Sequence, residues 1–502
     1  MISKAFIHIS AENIISPIDD RLYSSFIEHM GRAVYNGIYE PTHPEADIYG
    51  FRTDVSEHIK KLQLSQIRYP GGNFLSGYNW EDGVGDPASR PVRRDLAWFA
   101  IEPNQVGTNE FAAYCRRIGT QPMMGVNLGT RGPQDAANLL EYCNVESGTY
   151  YSDLRRSHGY EEPHGIKLWC LGNEMDGPWQ IGAKTAEEYG RIACETAKMM
   201  KWMDPSIELV ACGSSFRSMP TYGTWERTIL RHCFQHVDYL SLHQYYRNND
   251  GDVPAFLARG AEMDSFIKEV AGICREIKQE KRTDHEVFLS FDEWNVWYHF
   301  QKAGFEPEKW TIGRPIEEEV YNFADALLVG SMLTTLINNA DVVKIACLAQ
   351  LVNTIAPIMT ENSGRVWLQT TFYPFLYTSQ YGRGTALAAQ IDAPVYDCAA
   401  GSDISYLDCA AVLSNDSKSL TLFLINKNLT EPLETTVSLS GFAPMQIEQC
   451  VALAGVSLDT VNTADYSPVL PVIGQTDCRI MMNTLEISLP AASWQMVRIR
   501  IG

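Results

Sequence analysis

The chain has 502 residues, of which 45% are hydrophobic and 20% are charged. These values are typical of a globular protein and exclude disorder, collagen and coiled coil as the main class. The 41 basic and 61 acidic side chains give a formal charge of −20, which argues against a nucleic-acid backbone as the partner. A chain of this length can bury a large core and form more than one domain.

Nothing in the sequence indicates export or membrane insertion. The first residues, Met1-Ile2-Ser3-Lys4, lack the long apolar stretch of a signal peptide. The longest stretch without charge, 366–382, carries Gln, Thr, Ser and Pro and is not a membrane span. The 12 cysteines include no C-x-x-C pair, which favours reduced, buried thiols over a zinc site. We therefore expect a cytoplasmic protein with no metal and no cofactor.

Short apolar runs recur between residues 20 and 350, and each ends in polar or small residues. The eight runs are 22–28, 64–69, 121–127, 166–173, 207–213, 237–243, 287–293 and 343–350. Such runs fit strands that are buried on both faces. The segments 185–203, 256–277 and 317–338 have helical periodicity. Eight alternations of strand and helix predict a (β/α)8 TIM barrel, with a doubly wound open sheet as the alternative.

After about residue 380 the pattern changes to that of an antiparallel β-sandwich. Partial alternation predicts strands at 419–426, 433–439, 484–489 and 494–501, with Gly, Pro, Asn and Asp between them. Segment 5–9 (AFIHI) is also a predicted strand that can pair into this sandwich, since chain ends often lie close together. We therefore predict a catalytic barrel over 17–380 and a jelly-roll-like sandwich domain built from 1–16 and 381–502.

Polar side chains occupy the ends of the predicted barrel strands, where the active sites of such barrels lie. These residues are Glu28, Arg68, Asn173, Glu174, His243, Tyr245, Glu293 and Gln350, with Asn73 following the Pro70-Gly71-Gly72 turn. The aromatic residues Trp98, Trp179 and Trp297 fall on the same side. Each Trp alone is consistent with core packing or with stacking on a sugar face.

Glu174 and Glu293 end the fourth and seventh runs, so their carboxyl groups can converge over the barrel mouth. Glycoside hydrolysis needs two such groups, a protonated one for the leaving oxygen and an ionised one for the anomeric carbon or for water. Either Glu alone is consistent with a solvated loop or a helix cap. The pair, placed beside Asn173 and Trp294, favours catalysis.

The neighbouring polar residues allow both functional and structural roles. Asn173 fits a donor to the sugar hydroxyl beside the anomeric carbon, or an ordinary turn residue. Arg68 would keep a nearby carboxylate ionised, or it would form a salt bridge at the barrel rim. Tyr245 fits a hydrogen-bond donor to the nucleophile or a packing residue. His243 fits a pocket residue or a buried structural histidine.

At these residues the chain resembles an α-L-arabinofuranosidase of glycoside hydrolase family 51. The matching segments are 25–39 (SFIEHMGRAVYNGIY), 67–82 (IRYPGGNFLSGYNWED), 169–180 (WCLGNEMDGPWQ), 241–246 (SLHQYY), 291–298 (FDEWNVWY) and 345–357 (IACLAQLVNTIAP). They extend over the whole predicted barrel, and the C-terminal part fits more loosely.

The resemblance implies a retaining mechanism in which Glu174 is the acid/base and Glu293 the nucleophile. It implies that Glu28, Asn73, Asn173 and Gln350 bind arabinose hydroxyls and that Arg68 and Tyr245 hold the nucleophile. We group His243 with these two as a supporting residue. The resemblance also places Trp98, Trp179 and Trp297 around the mouth of the site.

The expected reaction is the exo release of terminal non-reducing α-L-arabinofuranosyl residues from arabino-oligosaccharides, arabinan or arabinoxylan fragments. The resemblance further implies a homo-oligomer, with a hexamer as the expected state. The alternatives are another retaining barrel glycosidase, such as an endoglucanase or xylosidase, a non-catalytic carbohydrate-binding protein, and a metal- or phosphate-dependent barrel enzyme. The last two have little support, because both Glu residues are present and no phosphate loop or ligand cluster is found.

Overall fold

The structure is a computed structural model that describes residues 3–297, 306–474 and 477–502. Met1, Ile2 and Tyr298, which belong to segments discussed above, lie outside the described residues. In chain order the strands are β1 (Ser3–Pro17), β2 (Ser24–Phe26), β3 (Gln66–Tyr69), β4 (Arg93–Asp95), β5 (Ala100–Glu102), β6 (Gln121–Val126), β7 (Leu168–Leu171), β8 (Glu208–Ala211), β9 (Tyr239–Tyr246), β10 (Phe288–Val296), β11 (Val343–Ala349), β12 (Ile358–Thr360), β13 (Val366–Leu368), β14 (Thr385–Asp392), β15 (Val395–Cys398), β16 (Gly401–Ser405), β17 (Leu407–Leu413), β18 (Ser419–Asn426), β19 (Leu433–Ser440), β20 (Pro444–Leu453), β21 (Val472–Ile473), β22 (Cys478–Met481), β23 (Thr484–Leu489) and β24 (Ser493–Ile501).

The helices of the described chain lie mainly between the barrel strands. They are α1 (Thr53–Lys61), α2 (Thr108–Ile118), α3 (Pro133–Asn144), α4 (Tyr150–Ser157), α5 (Ala186–Met203), α6 (Thr224–Cys233), α7 (Val253–Leu257), α8 (Arg259–Lys281), α9 (Phe323–Asn338) and α10 (Phe372–Tyr381). None of these described helices is both long and apolar enough to cross a bilayer.

Eight strands close into a parallel barrel in the spatial order β10-β11-β2-β3-β6-β7-β8-β9. Each of the eight predicted runs overlaps one of these strands, so the predicted TIM barrel is confirmed. The strands are buried along most of their length because their inner side chains fill the barrel and their outer side chains face the helices. The carboxyl ends of all eight strands therefore meet at one rim.

Two of the three predicted helices differ from the observed ones. Helix α5 begins after Thr185, as predicted, and the Thr185 hydroxyl accepts from the Glu188 N–H. The segment 256–277 is divided between α7 and α8 at Ala258, a join that periodicity alone does not detect. The segment 317–338 becomes helical only at α9, because Asn322 caps the helix by accepting from the Asp325 N–H.

The second part of the chain is a ten-stranded sheet in the order β21-β20-β24-β18-β17-β14-β1-β19-β23-β22. Strand β1 pairs antiparallel with β14 and parallel with β19, which confirms that the predicted N-terminal strand joins the C-terminal ones. The sheet curls over its own apolar core, so that β20 and β22 meet where the Cys450 and Cys478 sulfur atoms lie 2.7 Å apart. The all-β part is thus one rolled sheet, and the exact division of the chain at 16/17 and 380/381 stays a prediction.

The four C-terminal strands predicted from alternation are present as β18, β19, β23 and β24. The remaining strands after residue 380 were not predicted. They are β14, β15, β16, β17, β20, β21 and β22. Several of them are short or largely exposed, so their sequences carry little apolar alternation.

The sheet packs on the barrel through α9. Trp494 at the start of β24 is buried, and it lies against Gly330 in the middle of that helix. A Cβ atom on Gly330 would lie 2.4 Å from Trp494 Cδ1, so only glycine allows this approach. Asn338 Nδ2 also donates to the Cys409 carbonyl of β17 at 2.9 Å. The two parts of the chain therefore share a packed, hydrogen-bonded contact.

Replacing Gly330 tests this contact. Gly330→Ala gains helix propensity but forces a methyl group into the Trp494 ring, and we expect it to destabilise the protein by about 1–3 kcal/mol. Gly272→Ala in α8 is the matched control, because the nearest atom to its Cβ is Arg275 Nη2 at 4.0 Å. We expect this control to stabilise by up to about 1 kcal/mol. Thermal unfolding of both variants checks the prediction, and equal effects would contradict it.

Candidate active site

The carboxyl rim of the barrel gathers the twelve residues predicted for the site, and each of them contacts at least one other. Glu28 and Gln350 follow β2 and β11, Arg68 lies in β3, and Asn173 and Glu174 follow β7. The side chains of Glu174 and Glu293 are 11% and 7% exposed. Pocket burial of this degree strengthens electrostatic interactions between the groups.

The Glu174 and Glu293 carboxyl groups are close together. His243 Nδ1 lies 3.0 Å from Glu174 Oε1 and 3.5 Å from Glu293 Oε2, and one carboxyl oxygen of each acid and one imidazole nitrogen lie within 4.8 Å of one another. Inverting glycosidases need a gap of about 6.5–9.5 Å for water, whereas retaining ones use about 5–5.5 Å. The geometry fits the retaining arrangement. Glu174 also has a φ of +44°, a rare left-handed conformation of the kind that persists at functional sites.

A β-bulge explains why Glu293 faces the barrel centre together with its predecessor, Asp292. Between Ser290 and Glu293, β10 advances three residues while β9 advances two, from Ser241 to His243. The extra residue breaks the usual alternation of side chains. As a result, Arg68 reaches both acids: Nη1 donates to Glu293 Oε1 at 2.6 Å and Nε lies 3.6 Å from Asp292 Oδ2.

Arg68 also sets the orientation of Asn173. Its Nη2 donates to Asn173 Oδ1 at 2.6 Å, so the amide oxygen is occupied and the NH2 group is the one left for other partners. Asn173 Nδ2 lies 3.4 Å from Asn73 Oδ1. Both residues therefore present amide groups at the same side of the pocket. Burial opposes the charge of Arg68, but Asp292 and Glu293 outweigh it and raise the pKa of the guanidinium well above its ordinary value.

Glu28 is a buried acid that is held by neutral donors. Its Oε1 accepts from the Phe74 N–H at 2.8 Å and from Trp98 Nε1 at 2.7 Å, and its own N–H donates to Gln350 Oε1 at 2.9 Å. Burial raises the pKa of Glu28 to about 8, although the two donors lower it. The carboxyl group is therefore mostly neutral at pH 7. Gly71 permits this arrangement, because a Cβ there would lie 2.5 Å from Glu28 Cγ.

The remaining aromatic residues contact the catalytic pair or its neighbours. Trp179 Nε1 donates to Glu174 Oε2 at 2.8 Å, and its half-exposed ring stacks on Phe216 with centroids 5.6 Å apart. Trp297 lies edge-on to Tyr245 at 5.0 Å, and Tyr245 Oη donates to Glu293 Oε2 at 2.8 Å. One face of Trp179 is thus covered by a ring, while its indole N–H contacts the acid.

His243 is charged between the acids. Burial alone would lower the pKa of His243, but Glu293, Asp292 and Glu174 outweigh it and raise the pKa to about 10. Among the residues that the structure describes, Glu174, His243 and Glu293 also form the one cluster close enough to hold a metal ion.

Sequence reasoning did not assign a role to three residues that contact the site. Asp292 faces Arg68 and His243, Phe216 covers Trp179, and Glu317 accepts from Trp297 Nε1 at 3.0 Å. For Asp292 a signal existed, since two consecutive acids at the end of an apolar run do not fit a regular buried strand. Phe216 and Glu317 lie in loops, where the sequence gives no orientation.

A parallel barrel with two close carboxyl groups at its carboxyl rim is the arrangement of a retaining glycoside hydrolase. Comparison with known families also places the chain among the glycoside hydrolases. Residues 58–261 match the model described as Alpha-L-arabinofuranosidase 1 domain, and residues 292–493 match the Alpha-L-arabinofuranosidase C-terminal domain. The chain belongs to the family 51 α-L-arabinofuranosidases.

Two curated relatives match over nearly their whole length. The intracellular exo-α-(1→5)-L-arabinofuranosidase 1 of Bacillus subtilis is 54% identical, with 99% of each chain covered. The intracellular exo-α-(1→5)-L-arabinofuranosidase of Acetivibrio thermocellus is 49% identical, again with 99% of each chain covered. Among solved structures, the family 51 α-L-arabinofuranosidase AbfB of Bifidobacterium longum matches with a TM-score of 0.95 and 40% identity, covering 99% of this chain and 100% of that one.

A bifunctional glucanase-xylanase from a metagenome library, CelM2, matches with a TM-score of 0.61 and 14% identity, covering 99% of each chain. At that identity the likeness shows a common fold alone. The α-L-arabinofuranosidase of Thermotoga maritima, solved with arabinose, matches with a TM-score of 0.87 and 30% identity, covering 99% of this chain and 100% of that one. The comparison therefore favours the arabinofuranosidase class over the endoglucanase or xylosidase alternative.

The raised pKa of Glu28 predicts a pH-dependent stability difference. An acid whose pKa rises on folding destabilises the fold as pH increases from its unfolded value, about 4.3, to its folded value, by at most about 1.4 kcal/mol per pH unit. Glu28→Gln keeps an acceptor for the Phe74 and Trp98 N–H groups but cannot ionise. We expect the difference in thermal stability between Glu28→Gln and the wild type to shift in favour of Glu28→Gln between pH 5 and 8 and then to stay constant.

The control is Glu12→Gln, at an exposed glutamate of β1. Its stability difference from the wild type should vary little over the same range. A Glu28→Gln difference that is equal at pH 5 and pH 9 would contradict the assignment of a buried, protonated carboxyl group.

Proposed function

We propose that this protein removes terminal α-L-arabinofuranosyl residues with net retention, with Glu293 as the nucleophile and Glu174 as the acid/base. The chain is an exo-acting glycosidase of the arabinofuranosidase class by its family. The observation that carries the residue assignment is the asymmetric environment of the two acids. Glu293 accepts from the guanidinium of Arg68 and from Tyr245, whereas Glu174 accepts from Trp179 and His243 at the open side of the pocket.

In the first step Glu174 gives its proton to the glycosidic oxygen and the bond from that oxygen to the anomeric carbon breaks. One oxygen of Glu293 forms a bond to the same carbon, which yields a covalent arabinosyl ester. In the second step Glu174, now a carboxylate, takes a proton from water. The resulting hydroxide displaces Glu293 from the anomeric carbon, and two inversions give net retention.

The other pocket groups bind the sugar. Asn173, whose amide oxygen is occupied by Arg68, supplies an N–H donor for the hydroxyl next to the anomeric carbon, a contact that strengthens in the transition state. Glu28, Asn73 and Gln350 bind the remaining hydroxyls. Trp98 closes the pocket beside Glu28, and Trp297 does so beside Tyr245. Trp179 faces the leaving group, because its indole contacts the acid that protonates it.

The substrate is a (1→5)-linked arabino-oligosaccharide derived from arabinan, and the enzyme acts in the cytoplasm. The support is the names of relatives at 54%, 52% and 49% identity, which are given as intracellular exo-α-(1→5)-L-arabinofuranosidases. A relative from Bifidobacterium longum at 44% identity is an exo-α-(1→6)-L-arabinofuranosidase, so linkage is the feature to test directly. Arabinobiose isomers with 1→5 and 1→6 linkages, compared by kcat/KM, make that test.

The proposed assembly is a homo-hexamer. Size-exclusion chromatography with light scattering should then give a mass about six times that of the 56.4 kDa chain. A mass equal to one chain at micromolar concentration would contradict the proposal.

The activity is tested with 4-nitrophenyl α-L-arabinofuranoside beside the xyloside, arabinopyranoside and cellobioside. We expect wild-type cleavage of the furanoside alone, and a loss of at least about 10³-fold in Glu293→Ala because no covalent intermediate can form. Cleavage of the xyloside or cellobioside at a comparable rate would favour the alternative glycosidase classes. Full activity in Glu293→Ala would contradict the nucleophile assignment.

The acid/base is tested through leaving groups. Glu174→Ala should lose far more activity on arabinobiose than on the nitrophenyl furanoside, because nitrophenolate leaves without protonation. Added azide should restore turnover of the nitrophenyl substrate and form an arabinosyl azide of retained configuration. Equal losses on both substrates, or an azide product of inverted configuration, would contradict the role of Glu174.

A further inference from the structure

Asp292 is a charged side chain beneath the site that the proposed mechanism does not use. It is 1% exposed, and it contacts neither Glu174 nor the sugar pocket by any hydrogen bond. Its Oδ1 accepts from the Ser241 hydroxyl at 2.5 Å and lies 3.4 Å from His243 Nε2, and its Oδ2 lies 3.6 Å from Arg68 Nε. Its nearest charged neighbours are thus the two cations that face the catalytic acids.

With Glu174 protonated as the acid of the first step, the charges of this buried cluster balance only when Asp292 is included. Arg68 and the protonated His243 carry two positive charges, and Glu293 as an ionised nucleophile carries one negative charge. A buried charge without a partner costs several kcal/mol, so a second anion is required below the imidazole. Arg68 and His243 overcome the effect of burial and hold the pKa of Asp292 below its usual value, which keeps that anion in place.

We propose that Asp292 is a positioning residue for the reaction: it acts through His243, holding the Nε2 side of the imidazole so that Nδ1 lies between Glu174 and Glu293. This inference rests on the proposed function. The bulge in β10 makes the contact between Asp292 and His243 possible, because the bulge turns Asp292 towards the barrel centre directly below Glu293.

The position of His243 has a consequence for the two chemical steps. Before bond cleavage the negative charge resides on Glu293. After the ester forms, Glu293 is neutral and the negative charge resides on Glu174, which has given up its proton. His243 Nδ1 faces both acids, at 3.5 Å and 3.0 Å, so one cation stabilises both states without moving. Asp292 keeps that cation in place during both steps.

The acids that raise the pKa of His243 are Glu174 after β7 and Asp292 and Glu293 of β10. The same acids interact with groups on other strands, namely Arg68 of β3, Cys170 of β7, Cys212 after β8, Tyr245 of β9 and Cys347 of β11. Asp292 faces the Nε2 side of the ring, whereas Glu174 and Glu293 face Nδ1. Removing the charge of Asp292 therefore lowers the pKa of His243, since one of the acids that raise it is lost.

The test is Asp292→Asn, a change of nearly the same shape without the charge. We expect kcat on 4-nitrophenyl α-L-arabinofuranoside to fall by roughly 10²-fold with KM within about threefold, because the catalytic acids and not the sugar contacts are affected. In protein labelled with 13C at the histidine Cε1 position, the His243 signal should titrate at least about one pH unit lower than in the wild type. His243→Gln identifies that signal among the 11 histidines.

Two comparisons separate this role from a structural one. Asp325→Asn changes another buried aspartate, at the start of α9, and should cost stability without changing the His243 titration or kcat. The double variant Asp292→Asn/His243→Gln should be no slower than His243→Gln alone, because Asp292 acts through the imidazole. Additive losses, or a kcat loss with an unchanged His243 titration, would overturn the proposal.

Two further measurements do not depend on the folding of Asp292→Asn. Ser241→Ala removes one hydrogen bond to Asp292 but keeps its charge, and the His243 signal should titrate as in the wild type. In the wild type itself, titration of His243 near pH 6.5 would overturn the proposal. The histidine titration is measured without substrate, so its failure is distinguishable from failure of the proposed function, which would appear as absent wild-type cleavage of the furanoside.

Discussion

The site depends on one buried guanidinium. Arg68 is 2% exposed, and its three nitrogen atoms face three different groups: Nη1 donates to Glu293, Nη2 donates to Asn173 and Nε lies near Asp292. A cation that is removed from water is stable only when acceptors surround it, so none of these three side chains can be placed independently. The planar fork also has fixed N–H directions, which a flexible ammonium group lacks. Arg68 therefore fixes the relative positions of Glu293, Asn173 and Asp292.

Much of the barrel and of its rim could be predicted from the sequence, for a physical reason. Parallel strands that are buried on both faces must be almost continuously apolar, so each strand appears as a short run. The first polar residue after a run lies at the carboxyl rim, and this rule located Glu28, Glu174 and Gln350 without any knowledge of contacts. The roles given to these residues came from the family resemblance, and they stay predictions until variants are measured.

The features that sequence did not predict depend on long-range contacts or on small departures from regular geometry. The inward direction of Asp292 comes from a single extra residue in β10. The start of α9 depends on a side-chain cap at Asn322, whereas helical periodicity extends back to Glu317. Strand β14 pairs with β1 near the other end of the chain, and the short, largely exposed β15 and β16 have no apolar face that marks them.

The pairing of β1 has a consequence for synthesis. It leaves the ribosome well before both of its neighbours, β14 and β19, which lie beyond residue 384. At the usual speed of translation, roughly 20–80 s pass before the first of them emerges. During that time a long strand with apolar residues such as Ile7 and Ile9 has an open edge, which is a template for pairing with other chains. The nascent barrel therefore has to fold beside a strand whose edge is unpaired. Production of the protein depends on any molecule that covers this edge until the last quarter of the chain is made.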